Sequence, residues 1–156
     1  MDVGATVREI VWDVAEVAAP EEVWLLDGMR GWDDERIGRA LRGRRRGGPV
    51  RFGFSDVAPF VVPLVWMIVE QLSDHATGKV VGSVADRAGA RIRRSLRGRS
   101  ARPPTVPPVD AETLRRVRRQ VVEQAMAAGF DARRAESLAD EVVDRLRRVG
   151  DDPESP

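Results

Sequence analysis

Apolar residues near the N-terminus recur at helical spacing. Val7, Ile10, Val11, Val14, Val17 and Ala18 make one stripe, as expected of a helix that buries one face. Thr6-Val7-Arg8-Glu9 has the form of a capping box, in which Thr6 accepts from the Glu9 amide and Glu9 reaches back. Pro20-Glu21-Glu22 predicts the first turn of a short second helix, since proline's missing donor is harmless there and carboxylates favour the positive helix end. That helix carries Val23, Trp24, Leu25 and Leu26 and should stop at Gly28. Asp33 is placed to cap a third helix, with Trp32 and Ile37 as a hydrophobic staple. Asp34 and Glu35 fall in its first turn, Arg39 and Arg42 in its last, and Gly43 as its C-terminal cap. Arg44 to Pro49 then predicts a basic Gly-rich loop, and Val50 to Phe54 a short extended piece without a partner strand.

The run from Val57 to Val69 is uncharged. Ser55 or Asp56 can start its helix; Pro59 is tolerable near the start, and Pro63 should kink the helix or delay its beginning. The run falls short of the roughly 18–20 residues that span a bilayer and predicts the buried central helix of a bundle. From Thr77 to Leu96, Val80, Val81, Val84, Ala85, Ala88, Ile92 and Leu96 form another helical face. Gly78 and Gly82, and Ala85 and Gly89, lie four apart on it, a spacing that lets a second helix approach closely.

Pro103, Pro104, Pro107 and Pro108 mark an extended, semi-rigid linker. Beyond it, Asp110 caps a helix carrying Leu114, Val117, Val121, Val122, Ala125 and Met126. Gly129-Phe130-Asp131 turns the chain into an antiparallel helix carrying Ala135, Leu138, Ala139, Val142, Val143, Leu146 and Val149. Such a hairpin has too little core to stand alone, so its stripe must bury against the rest of the chain or another molecule.

The fold class predicted is all-α: a small helical bundle with a central apolar helix and a C-terminal αα-hairpin. Residues 1–97 form the helical domain with a basic amphipathic last helix, 98–109 the linker, 110–149 the hairpin and 150–156 a disordered tail. Ile37 to Arg44 matches Ile92 to Arg99 at six of eight positions, which a shared helix ending explains without a duplication.

Charge adds an asymmetry to this picture. Residues 1–35 hold ten acids and two arginines, a net charge of −8, whereas residues 36–102 hold fifteen bases and four acids, a net charge of +11. Residues 103–156 carry −2 and the whole chain +1. The simplest expectation is that the acidic front lies against the basic middle. Cysteine is absent, which fits a reducing compartment. The acid-bearing stretch from Met1 to Ala19 lacks the basic start of a secretory signal. Together these suggest a cytoplasmic protein with possible membrane association through its basic segment.

Candidate chemistry is sparse. His75 is the single histidine and stands near Asp74, Glu70 and Lys79, without the third group and pocket that acid–base catalysis needs. One histidine and no cysteine leave a zinc site without ligands. Thr77-Gly78-Lys79 lacks two parts of a phosphate-binding loop: Ser73 stands where glycine is required, and Val80 where Ser or Thr would reach magnesium. Gly-x-Ser-x-Gly and Gly-x-Gly-x-x-Gly are also missing. The chain therefore reads as a non-enzyme, with no catalytic, metal or cofactor-binding residues and no cofactor.

Two basic patches remain as a candidate surface for an anionic partner. One is Arg44, Arg45 and Arg46, after Arg42; the other is Arg91, Arg93, Arg94, Arg97 and Arg99, flanked by Arg87 and Arg102. Either suits the phosphates of nucleic acid or anionic lipid, but no aromatic residues interleave as a single-strand platform requires. Ala125, Gly129 and Ala135 have helix-turn-helix spacing, but Glu136, Asp140, Glu141 and Asp144 on the second helix would repel DNA.

Leu25-Leu26-Asp27-Gly28-Met29, Phe52-Gly53-Phe54, the proline-rich spacer and Ser137 to Val143 resemble a group of small arginine-rich proteins of high-GC actinobacteria. The resemblance implies a self-contained family protein and brings no activity with it. The function expected is a non-catalytic adaptor or assembly module acting through helix packing, with Gly78, Gly82, Ala85 and Gly89 as a packing face and a protein partner or self-association. A peripheral, membrane-active protein using residues 57–97 on an anionic membrane surface is the alternative, and nucleic-acid phosphate binding the third.

Overall fold

The computed structural model describes residues 4–46, 59–76, 103 and 105–151. Among these the fold is all-helical, as expected, and its elements follow from caps that can be named. Helix α1, Val7–Ala18, opens on the expected capping box: Thr6 Oγ1 accepts from the Glu9 amide at 3.3 Å, and the Thr6 amide donates to Glu9 Oε2 at 2.8 Å. It buries Val7, Ile10, Val11, Val14 and Ala15, while Val17, expected in the stripe, stands 65% exposed. Pro20–Glu22 forms a 3₁₀ turn that leads into α2, Val23–Gly28.

Helix α3, Asp34–Arg46, starts where Asp33 Oδ1 accepts from the Arg36 amide at 2.8 Å. It passes straight through Gly43 instead of ending there. A glycine cap needs a left-handed backbone, and the one positive-φ glycine among the described residues is Gly129. The arginines after Gly43 are good helix formers and carry the helix on. Thus Arg44, Arg45 and Arg46, expected in a loop, have their backbone in the last turn of α3.

Helix α4, Val61–Ala76, supplies the centre of the bundle. Its first turn is capped from far away in sequence. Glu22 Oε1 accepts from the amides of Phe60 at 2.8 Å and Val61 at 3.0 Å, and Oε2 accepts from Val62 at 2.8 Å. Pro63 has no N–H to satisfy, and the ladder begins with the Leu64 amide on the Phe60 carbonyl at 3.1 Å. Every donor of a normally orphaned helix start is thereby paired or absent. Pro63 has delayed the helix rather than kinked it.

The hairpin consists of α5, Ala111–Ala127, and α6, Ala132–Asp151. Gly129, at φ +95°, makes the turn; the Phe130 amide returns to the Ala125 carbonyl at 3.0 Å, and Asp131 Oδ1 caps α6 through the Arg134 amide at 2.9 Å. Gly150 and Asp151, expected in a disordered tail, continue α6. The hairpin stripe is buried by the rest of the chain: α6 packs on α1 as well as on α5, and α4 packs on α1 and α3. One hydrophobic core takes residues from all six helices and from Val106. The end of the expected linker is part of that core, since Thr105 bridges to Thr6 and the Val106 amide donates to the Ala5 carbonyl at 2.9 Å.

Most bases of the middle segment lie outside the described residues, so the expected pairing of the acidic front with the basic middle falls largely outside them too. Asp13 pairs with Arg145 at 2.6 Å and Glu21 with Arg134 at 3.0 Å, both on α6. Arg8 binds Asp34 at 2.8 Å and also donates to the carbonyls of Arg30 and Trp32. Among the described residues, acids of the front thus find partners on the hairpin, within the front and, through Glu35–Arg39, at the edge of the middle segment.

Three stability effects are expected. Glu22→Ala orphans two buried amides and a part-buried one and should cost about 3 kcal/mol in chemical denaturation, with Glu22→Gln falling between it and the parent. A β-carbon at Gly38 would lie 3.1 Å from the Trp66 indole nitrogen and 3.1 Å from Glu70 Oε1. The Trp66 ring is buried and cannot give way. Gly38→Ala should therefore destabilise by about 1 kcal/mol, whereas Gly43→Ala, with nothing within 4 Å, should stabilise by about as much. The Thr113 amide, donating to Asp110, holds that carboxyl below its ordinary value of 3.8. A folded-state value below the unfolded one makes the cap's contribution complete above pH 3.8 and lost as pH falls through the folded value. The stability gap between the parent and Asp110→Ala, followed by thermal melts against pH, should close in acid.

Candidate interaction surface

Large apolar side chains remain outside the core at three described positions: Val17 on α1, Trp24 on α2 and Met126 on α5. Each is on a helix whose other face is anchored, so its exposure follows from the packing. On α2, Leu25 and Leu26 turn inward, which carries Trp24 outward to 60% exposure. Pro20, Glu21, Asp27 and Gly28 are also exposed there, three or four residues from Trp24. The indole thus stands among two carboxylates, Glu21 in its pair with Arg134 and Asp27 in its pair with Arg30 at 2.7 Å.

Among the described residues, arginine lies over three other half-buried rings. Arg30 lies over Trp12 at 5.2 Å, Arg36 over Trp32 at 4.2 Å and Arg134 over Phe130 at 4.5 Å, each a cation–π contact. Phe130 also meets Phe60 edge-on at 5.3 Å. Among the described residues, no cation stacks on Trp24.

A groove of about 270 Å³ runs between α1 and α6, lined by Val17, Ala18, Val61, Phe130, Arg134, Ser137, Leu138 and Glu141. It is small for an organic ligand, and its two charged side chains are of opposite sign. On α5, Leu114, Val117, Val121 and Ala125 face the core. Arg115, Arg119, Val122 and Met126 then follow at intervals of four, three and four along one flank of the helix, with Val122 half-buried against the core. Arg118 is drawn off this flank to Asp140 at 3.0 Å.

Of the residues singled out from sequence, Arg91, Arg93, Arg94, Arg97 and Arg99 lie outside the described residues, as do Gly78, Gly82, Ala85 and Gly89. His75 falls in the last turn of α4. The described residues contain no group of acidic, histidine or cysteine side chains arranged to hold a metal ion.

Val17, Trp24 and Met126 were missed as surface residues because stripe counting assigns each to a buried face. The legible signal was the length of α2: six residues cannot bury four consecutive apolar side chains on one side. Comparison of the chain with protein-family models, with curated proteins and with solved structures finds no match.

Proposed function

We propose that this protein is a non-catalytic helical adaptor or assembly module that acts through helix packing. The observation that carries this reading is the set of large apolar side chains outside an otherwise closed core: Val17, Trp24 and Met126. The stripe of the hairpin, which had to bury against the rest of the chain or another molecule, is satisfied within the chain. The exposed residues are different ones, held on helices that are anchored by their opposite faces. A rigid apolar side chain on an ordered helix is well suited to protein contact, because little further entropy is lost on binding.

Membrane insertion through the apolar run has less support. Val61, Val62, Leu64, Val65, Trp66, Ile68 and Val69 are all buried in the protein's own core. Withdrawing them would leave the apolar faces of α1 and α3 that now pack on α4 exposed to water. No described helix is long and apolar enough to cross a membrane.

Photoreactive side chains replacing Trp24, Val17 or Met126 should give protein adducts in the producing cell, whereas the exposed control positions Arg39 and Arg148 should not. Purified protein should fail to float with neutral or anionic vesicles at high salt. Salt-resistant flotation together with an absence of protein adducts would overturn the adaptor reading in favour of a membrane.

A further inference from the structure

We draw no further inference here: the strongest candidate, the surface patch around the exposed Trp24 indole on α2, has neighbouring carboxylates that are already paired within the chain, and nothing in the structure shows what covers it.

Discussion

Glu22 is 5% exposed, and both its carboxylate oxygens are committed to backbone amides at the start of α4. A buried carboxylate is costly unless hydrogen bonds replace its hydration. Here a helix N-terminus supplies them, with its partial positive charge aimed at the same oxygens. The constraint runs both ways. The central helix needs an acceptor at a point where Pro63 has removed one of its own amides and packing has excluded water. The 3₁₀ turn after α1 needs a reason to stay tight. One side chain meets both needs and so fixes where α4 begins relative to α1 and α2.

Much of the bundle is arranged around that joint. Phe60, whose amide Glu22 binds, packs edge-on against Phe130 at the hairpin turn, so the same region ties the N-terminal helices to the C-terminal pair. At the other end of α4, the Ser73 hydroxyl donates to the Thr105 carbonyl at 3.4 Å, and Thr105 in turn bridges to Thr6 just before α1. The side of α4 that faces α3 is close-packed through Gly38 against Trp66, with the Arg42–Glu70 pair beside them. Helix α4 is therefore held at its start, along its length and near its end, which is why its apolar run belongs to the core.

Arginine does several jobs in this fold, and they differ in the energy involved. Arg8 is part-buried, binds Asp34 and two backbone carbonyls, and locks the turn between α2 and α3 to α1. Arg30–Asp27 and Arg39–Glu35 are exposed pairs within one element or its edge, the kind whose net contribution is small. Arg30, Arg36 and Arg134 cover aromatic rings.

Local chemistry settled the helices themselves. The Thr6–Glu9 capping box, the Asp33, Asp110 and Asp131 caps, and Gly129 at the hairpin turn were all legible because each acts within a few residues of the chain. So was the all-helical class, which follows from apolar spacing. Interaction surfaces were legible only in part. Basic patches stand out as composition, but the exposure of Val17, Trp24 and Met126 depends on which flank of an apolar stripe the neighbouring helix leaves open. Glu22 makes the same point in the interior: its sequence neighbours suggest a solvated first-turn carboxylate, and its real partners are 38 to 40 residues away. Gly43 looked like a helix stop and was overrun, because a cap is a backbone conformation that following residues can refuse. Periodicity reports the side of a helix that is apolar; only the packed neighbours decide how much of that side is covered.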